Sequence, residues 1–403
     1  MSSPGDLSAV LARYEDELLA FRRDVHAHPE LARTEFRTTG RVEQRLRAAG
    51  LAPQRLPGTG IICEIGRGGP LIGLRADLDA LPIVEETGLD FTSTVPGISH
   101  ACGHDVHTTA LLGAGLLLAE AERAGQLPGR VRLVFQAAEE VQPGGAQDAI
   151  AAGALDGLQR IYALHCDPTH DVGTVATRPG PITSAADLVL VRVQGNGGHT
   201  SRPHLTEDVV YALAQVVTQL PAALTRRVDP RSGVAMVWGR ITAGSAANAI
   251  PRTGEAHGTL RCLDANLWGG LELIVAGLVE DIARPYGVKA EVIHTRGVPP
   301  TVNDPEAVLV VEQAVREELG PETLDLAEQS LGGEDFGWML EQVPGAMMRL
   351  GTRTPGGRTF DLHQGDFEVD ERSIGVGARA LAAVALRECT NCCLEAFFSF
   401  MRL

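Results

Sequence analysis

The stretch Val131–Glu140, with the sequence VRLVFQAAEE, is a mainly apolar run that ends in two adjacent carboxylates. Its first part, Val131–Phe135, predicts a buried β-strand. Similar short runs at Ile61–Ile65, Leu71–Ala76 and Ile161–Leu164 predict further strands. Such strands alternate with helical patterns along the chain, and this alternation is typical of an α/β sheet with much parallel character.

Helices are predicted before, between and after these strands. Residues 7–50 carry apolar side chains at helical spacing, and Gly50 is placed to end the second helix there. Thr108–Glu120 predicts a helix that begins directly after a cluster of histidines and a cysteine. Two later helices are predicted near Pro305–Leu319 and Glu371–Ala385.

A different pattern begins near residue 185. Asp187–Val193 alternates between apolar and polar residues, as a half-buried strand does. The elements predicted after it are strands near residues 234–241, 254–263 and 288–294 and helices near residues 208–220 and 266–284. The resulting order, βαββαβ, predicts a self-contained open-faced sandwich.

The length of 403 residues exceeds what one ordinary core holds and indicates two domains. We predict that an inserted α+β domain, residues 185–296, divides the α/β domain. The first part of that domain is predicted at residues 1–184 and the second at 297–388. Residues 389–403 are predicted to form an atypical C-terminal tail.

Charge and hydropathy exclude several classes of partner. The formal net charge of −16 repels nucleic acid and anionic membrane surfaces. The N-terminal residues, MSSPGD, lack the basic and apolar regions of a secretory signal. No apolar run approaches the ~18 residues that a membrane helix requires. We therefore predict a cytoplasmic protein that binds neither nucleic acid nor membrane.

The tail differs in composition from the preceding chain. Three of the seven cysteines, Cys389, Cys392 and Cys393, lie in it, together with three phenylalanines. One interpretation is a thiol clip for a metal ion. The other, which we favour, is an added or altered terminus without a catalytic part.

Residues that typically bind metal ions follow the predicted strands or precede a helix. They are Cys102, His104, His107, Glu139, Glu140 and His165, with His363 as a later candidate. In open α/β sheets ligands gather at the carboxyl ends of the strands, so these segments predict one shared site. A mixture of sulfur, nitrogen and oxygen ligands favours a transition ion such as Zn²⁺ or Mn²⁺ over Ca²⁺ or Mg²⁺.

Such a site is typical of a metal-dependent hydrolase. Of two adjacent carboxylates, one can bind a metal ion while the other acts as general base towards a metal-activated water. Neither a Gly-x-Ser-x-Gly elbow nor a Walker phosphate loop occurs in the sequence.

Several motifs resemble those of the aminoacylase/carboxypeptidase-type metallopeptidases, in their amidohydrolase branch. That branch includes hippurate hydrolases and the plant indoleacetyl-amino-acid hydrolases. The resemblance covers about residues 10–385. The motifs are, in order, Phe21–Leu31, Arg75–Ile83, His100–His107, Ala138–Glu140, Ala163–His165, Gly197–His199 and Leu362–His363.

The resemblance implies a fold and a set of metal ligands. The fold is a mixed-sheet di-metal catalytic domain with an inserted lid and dimerisation domain. Cys102 would bridge two divalent metal ions, with Zn or Mn expected first and Co or Ni also compatible. Four residues would complete the ligand shells: His104, Glu140, His165 and His363.

It also implies roles in catalysis and substrate binding. Glu139 would be the general base, and His199 would reach the active site of a partner subunit and stabilise the oxyanion. Asn248 and Arg261 would bind the free carboxylate of the amino-acid half of the substrate. These roles predict a homodimer, or a tetramer built from it.

Three functions stay open at this point. The first is hydrolysis of N-acyl-L-amino acids, small-molecule substrates, to a carboxylate and a free amino acid. The second is a metallo-dipeptidase or carboxypeptidase that uses the same site. The third, a non-catalytic relative that binds a metal or ligand, is disfavoured because Glu139 and all five implied ligands are present.

Overall fold

A computed structural model describes the backbone of residues 6–400, with side chains as far as Leu394. The first five residues, on which the prediction about a secretory signal partly rests, and the last three residues of the tail lie outside the described part. The described chain divides into two compact units. Unit 1 comprises residues up to Gly180, Val302–Glu328 and the chain from Trp338 onward, and unit 2 comprises Pro181–Thr301 and Gln329–Gly337.

The strands, numbered in chain order, have the following bounds: β1 Gln54–Arg55, β2 Ile61–Gly66, β3 Leu71–Asp77, β4 Arg130–Gln136, β5 Arg160–Asp171, β6 Val175–Thr177, β7 Gly180–Thr183, β8 Ala185–Gln194, β9 Gly198–His199, β10 Ala235–Ala243, β11 Ala249–Ile250, β12 Thr253–Cys262, β13 Lys289–Val298, β14 Thr301–Asn303, β15 Leu324–Leu326 and β16 Gly345–Arg353.

The α-helices have these bounds: α1 Leu7–Leu11, α2 Glu15–Ala27, α3 Phe36–Ala48, α4 His104–Arg123, α5 Gly145–Ala151, α6 Val209–Arg227, α7 Ala265–Trp268, α8 Leu271–Ala283, α9 Pro305–Glu318, α10 Phe336–Leu340 and α11 Arg372–Phe400.

Unit 1 is built on a mixed eight-stranded sheet. Its strand order is β1-β2-β4-β3-β5-β16-β6-β15. The pairs β4–β3, β3–β5, β5–β16 and β6–β15 are parallel, whereas β1–β2, β2–β4 and β16–β6 are antiparallel. The parallel centre brings the carboxyl ends of β3 and β4 to the same edge of the sheet, where ligands gather in α/β folds.

Two long helices, α4 and α11, pack against each other in unit 1. Most of α4 is buried, because residues such as Leu111, Leu112 and Leu117 belong to the main hydrophobic core. Helix α9 begins at Pro305, and the side chain of Asp304 caps it by accepting a hydrogen bond from the backbone of Ala307.

Unit 2 contains an antiparallel four-stranded sheet in the order β10-β12-β8-β13. In β8 and β12 burial alternates along the strand, which is expected of a sheet with one packed face. Helices α6 and α8 contact each other and pack against strands of this sheet. The element order β8-α6-β10-β12-α8-β13 is βαββαβ.

Two predicted boundaries near the candidate ligands were wrong. Helix α4 begins at His104, not after the cluster, so this histidine lies in the first helical turn. Strand β5 does not end before His165 but continues to Asp171, because β16 pairs with it in parallel beyond that point.

The described chain ends in one long helix, α11. Helix α11 continues past the predicted end at Ala385 and includes the described part of the tail. Within the described residues, none of the helices combines the length and the apolar character that crossing a bilayer would require.

Candidate active site

The loop before α4 brings Cys102 and His104 together. Gly103 caps the helix with a φ of 85°, a conformation that side chains rarely adopt. A Cβ atom at this position would lie 2.8 Å from Cys166 Sγ, so the close approach of β5 also requires glycine. Cys102 and His104 are both buried.

Two of the three candidate histidine ligands, His104 and His165, each use Nδ1 for a backbone carbonyl. His104 Nδ1 donates to the carbonyl oxygen of Asp79 at 2.9 Å, and His165 Nδ1 donates to that of Cys166 at 2.8 Å. A carbonyl partner fixes the tautomer and leaves the Nε2 lone pair free, as is usual for histidine ligands. His363 Nε2 lies 3.2 Å from Glu140 Oε1.

A turn at the end of β4 presents Glu139 and Glu140. Ala138, just before them, has a φ of 58°. The backbone nitrogens of Glu139 and Glu140 donate to the two carboxylate oxygens of Asp79, at 3.0 and 2.9 Å. Because the chain turns here instead of continuing as a strand, both glutamate side chains reach the same group of ligands around His104.

The candidate metal ligands form overlapping groups, each with its ligand atoms within 4.8 Å of one another. One group is Cys102, His104 and His165, and another is Cys102, Glu140 and His363. Cys102 belongs to both groups, which is the arrangement expected of a ligand that bridges two ions. The structure therefore brings all five predicted metal ligands together.

The donor atoms fit divalent metal ions. His104 Nε2 is buried without a hydrogen-bond partner among the described residues and lies 3.7 Å from Glu140 and 3.9 Å from Glu139. Cys102 Sγ lies 3.6 Å from His165 Nε2. A sulfur, three imidazoles and carboxylates that converge in a buried site make a typical set for transition ions.

The protonation equilibria of these groups indicate a deficit of positive charge. Burial raises the pKa of the Cys102 thiol, and the Glu140 carboxylate adds to this. Hydrogen bonds with Cys102 and Glu140 raise the pKa of His363 to about 10. Burial acts to lower the pKa of His104, but Asp77 and Cys102 outweigh it and raise that pKa well above its ordinary value. A divalent cation would supply the missing charge without protons.

His107 supports the site through hydrogen bonds at both ring nitrogens. Its Nδ1 donates to Asp77 at 2.7 Å, and its Nε2 accepts from the backbone nitrogen of Cys166 at 2.8 Å. Both ring nitrogens are therefore in use. Arg75, fully buried, holds the other oxygen of Asp77 at 2.8 Å.

A second buried network holds Asp105, the residue after His104. Its carboxylate accepts from Arg22 at 2.7 Å and from His26 Nδ1 at 2.8 Å. Burial disfavours the charged form, yet the pKa of Asp105 lies far below its usual range because Arg22 and His26 stabilise the anion. On its other side, His26 Nε2 lies 3.0 Å from Glu85.

Asp77 and Asp79 had no role in the sequence-based prediction of the site. Asp77 is the last residue of β3 and Asp79 follows the strand, both in the motif Arg75–Ile83, and both hold other residues of the site in place. Their spacing of two residues after a predicted strand was the available signal, because it places two carboxylates at the same edge as Glu139.

The remaining predicted residues lie in unit 2. His199 and Asn248 are neighbours, because β9 pairs with β11 and Thr200 donates its backbone N–H to the Asn248 carbonyl. Both residues are exposed. Arg261 pairs with Ala186, near the other end of β12.

A family model described as peptidase family M20/M25/M40 matches residues 73–387. The chain belongs to this family. Over 377 residues it is 37% identical to a Bacillus subtilis N-acetyl-L-cysteine deacetylase, with 93% of this chain and 87% of the deacetylase covered. Among solved structures, a Bacillus subtilis protein described as a dinuclear metal binding peptidase of the M20 family matches with a TM-score of 0.84 and 32% identity, covering 94% of this chain and 99% of that one.

Another protein similar to this chain is considerably longer. Over 376 residues the chain is 50% identical to a Rhodococcus jostii protein whose name describes a glutamate–cysteine ligase. The match covers 93% of this chain but 47% of that protein, so the chain spans about half its length.

These comparisons confirm the family that the motifs predicted and the fold class, a mixed-sheet α/β domain with an inserted α+β domain. The chain is a hydrolase of this family. The ligand groups and the dinuclear relative support two divalent metal ions.

Proposed function

We propose that the protein hydrolyses the amide bond of N-acyl-L-amino acids, giving a carboxylate and a free amino acid. The observation that carries this proposal is the place of Glu139. Its carboxylate lies 3.9 Å from His104 Nε2, but it is absent from the two groups that share Cys102. This place, beside the ligand groups but outside those that share Cys102, suits a residue that exchanges protons with a water molecule held there.

The residues divide the reaction between them. Cys102, His104, Glu140, His165 and His363 would hold two divalent ions, with Zn or Mn expected first and Co or Ni compatible. When bound, such ions acidify a water molecule and polarise the substrate carbonyl. Glu139 takes the proton of the attacking water and returns it to the leaving amine. The carboxylate of Asp79 keeps Glu139 beside the ligand groups by accepting a hydrogen bond from the backbone nitrogen of Glu139.

The substrate class follows from the relatives and from unit 2. The relative named N-acetyl-L-cysteine deacetylase supports an acylated amino acid, and N-acetylcysteine is therefore the first substrate to test. We assign the carboxylate of the substrate to Asn248 and Arg261, because a guanidinium binds a carboxylate in a fixed, bidentate geometry. His199 is assigned to the oxyanion that forms during attack.

A homodimer would explain how these three residues meet. His199 lies near the beginning of β12, where Thr253 pairs with Gln194, whereas Arg261 lies eight residues farther along that strand. At a strand rise of about 3.3 Å per residue, the two ends are roughly 26 Å apart. This separation supports a substrate site that uses Arg261 of one copy together with His199 and its neighbour Asn248 of another, in a dimer or a tetramer.

A substrate panel tests the proposal. Apo protein is loaded in turn with Zn²⁺, Mn²⁺, Co²⁺ or Ni²⁺ and assayed with N-acetyl and N-benzoyl amino acids and with the matched dipeptides. We expect cleavage of the acyl-amino acids and poor cleavage of dipeptides, whose charged α-amine replaces the neutral acyl group. Preference for the dipeptides would instead establish the dipeptidase or carboxypeptidase alternative. Failure with every substrate and ion would contradict both.

The cytoplasmic location stays a prediction from the sequence. The same panel measures the preference for one acyl group over another.

A further inference from the structure

The turn that carries Glu139 and Glu140 is held in an unfavourable conformation. Ala138 has a φ of 58° and is completely buried. The left-handed region costs a residue with a Cβ atom about 1–2 kcal/mol, so it persists only where the surroundings determine it. Something must therefore fix the backbone at this position.

Four hydrogen bonds fix it. Asp79 takes the N–H groups of Glu139 and Glu140. The carbonyl oxygen of Ala138 accepts from the backbone nitrogen of Gly145 at 2.8 Å, at the beginning of α5. The fourth bond runs from the backbone nitrogen of Ala138 to Oε1 of Glu35, at 2.8 Å.

Glu35 is unusual in its own surroundings. It is fully buried, and it stands at the N-cap position of α3 without using its side chain to cap that helix. Instead Glu30 accepts the backbone N–H groups of Arg37 and Thr38. The Glu35 carboxylate is thus directed away from its own helix, and its second oxygen accepts from the hydroxyl of Thr59 at 2.6 Å.

We propose that Glu35 is a positioning residue, which acts through the backbone of Ala138 to keep Glu139 and Glu140 in the geometry for proton transfer and metal binding. This inference rests on the proposed function. Within the described residues, the side chain of Glu35 forms hydrogen bonds with Thr59 and Ala138, neither of which is a candidate ligand or a residue assigned to the substrate. Its effect depends on the hydrogen bond to Ala138, 103 residues away in sequence.

The electrostatic cost of this arrangement supports a specific role. Burial raises the pKa of Glu35, and the carboxylate of Asp79 adds to the effect. Two buried carboxylates therefore serve three consecutive N–H groups of one turn. A protein keeps a buried acid only where its hydrogen bonds offset the loss of water.

The segment before α3 contacts the same loop at a second place. Arg33 donates to the carbonyl of Pro143 at 2.9 Å and forms an ion pair with Asp148 of α5. The first motif of the sequence, which ends at Leu31, is thus followed directly by residues that hold the turn of Glu139.

Three variants test the inference: Glu35→Ala, Glu35→Gln and Glu30→Ala. Glu35→Ala removes the acceptor for Ala138, whereas the amide oxygen of glutamine still accepts that N–H. Glu30→Ala is the matched control, because it removes a glutamate of the same segment that accepts three hydrogen bonds but does not contact the turn. For each variant the melting temperature, kcat, KM and the visible absorption spectrum of the Co²⁺-loaded protein are measured.

We expect Glu35→Ala to lower kcat about 30- to 100-fold with KM within about threefold, as losses of residues that orient metal ligands commonly do. Its Co²⁺ spectrum should change, because Glu140 shifts. Glu35→Gln should stay within about threefold of wild type in kcat. Glu30→Ala should lower the melting temperature but leave kcat and the spectrum unchanged.

Several results would overturn the inference. They are a wild-type kcat and spectrum in Glu35→Ala, or equal losses of kcat in Glu35→Ala and Glu30→Ala. If Glu35→Ala does not fold, Thr59→Val, which removes the donor to Oε2, should lower kcat about 3- to 10-fold, and no loss would count against the inference. If the wild type hydrolyses no substrate, the proposed function fails, and the Co²⁺ spectra alone decide the role of Glu35.

Discussion

Asp79 Oδ1 lies 3.0 Å from the backbone nitrogen of Glu139, although 60 residues separate the two in sequence. The other carboxylate oxygen takes the N–H of the next residue, Glu140, at 2.9 Å. The end of β3 therefore fixes the turn that follows β4, and these strands are parallel neighbours in the sheet. A single carboxylate thus orients both the proposed general base and a proposed metal ligand.

Asp79→Asn should impair catalysis strongly. One carboxylate oxygen of Asp79 is replaced by an NH₂ group, which faces the backbone N–H of Glu139 or Glu140. That N–H and the NH₂ group are both donors, so neither has an acceptor there. We expect kcat to fall about 100-fold, with a partial loss of bound metal. Steady-state kinetics and metal analysis measure both effects.

The control for this variant is Asp304→Asn. Asp304 caps α9, and asparagine is an equally good N-cap residue, so activity should be unchanged. If Asp79→Asn retained wild-type kcat, the hydrogen bond between Asp79 and Glu139 would not be needed for catalysis.

Cys102→Ser should lower the affinity for metal ions. The hydroxyl of serine is a much poorer ligand than a thiolate, and Cys102 belongs to both ligand groups, so both ions should be affected. Metal stoichiometry after dialysis is the measurement. Cys63→Ser, at a buried cysteine of β2 in the hydrophobic core, serves as the control and should keep its metal. An unchanged stoichiometry in Cys102→Ser would refute the bridging role.

Gly103→Ala should destabilise the protein more than Gly50→Ala. Both glycines have positive φ, 85° and 81°, so both variants pay about 1 kcal/mol for the backbone conformation. Only at Gly103 would the added Cβ meet another atom, Cys166 Sγ at 2.8 Å, whereas nothing lies within 4 Å at Gly50. We expect a further loss of about 1–3 kcal/mol in the free energy of unfolding, measured with urea. Equal losses of unfolding free energy in the two variants would show that β5 moves away from the added Cβ atom at no measurable cost.

The pair of His26 and Glu85 predicts a pH dependence of stability. Burial disfavours the charged carboxylate, but hydrogen bonds from His26 and Thr87 lower the pKa of Glu85 from its ordinary 4.5 to about 2. A lowered pKa contributes stability that is fully present above pH 4.5 and is lost as the pH falls towards 2. The unfolding free energies of wild type and Glu85→Gln should therefore differ most above pH 5 and converge on acidification. A difference that grew towards pH 3 would contradict the assignment.

The sequence predicted much of the fold because local patterns decide it. The run Val131–Phe135 lies within β4, and the alternation in Asp187–Val193 lies within β8. The missed features lack a local signal. β5 extends through the polar residues after His165 because the distant strand β16 pairs with it. Helix α4 begins at His104 after a glycine, which has no side chain to cap the helix.

Part of the candidate site is also predictable from local motifs, and part is not. Ligand-type residues such as Cys102 and Glu140 are visible in the sequence as motifs. The roles of Asp79 and Glu35 are not, since each depends on a hydrogen bond to a backbone N–H far along the chain. Ala138 carries no sequence signal for a left-handed conformation, because glycine or asparagine is the usual residue there.

The most direct test of the account compares Glu139→Ala with the wild type in one preparation, by measuring bound metal and turnover of an N-acyl-amino acid together. Glu139 lies beside the ligand groups and outside those that share Cys102. The account predicts that the variant binds the same amount of metal and loses nearly all turnover, on the order of 10³-fold or more. Substantial residual turnover with full metal content would contradict the assignment of Glu139 as the general base.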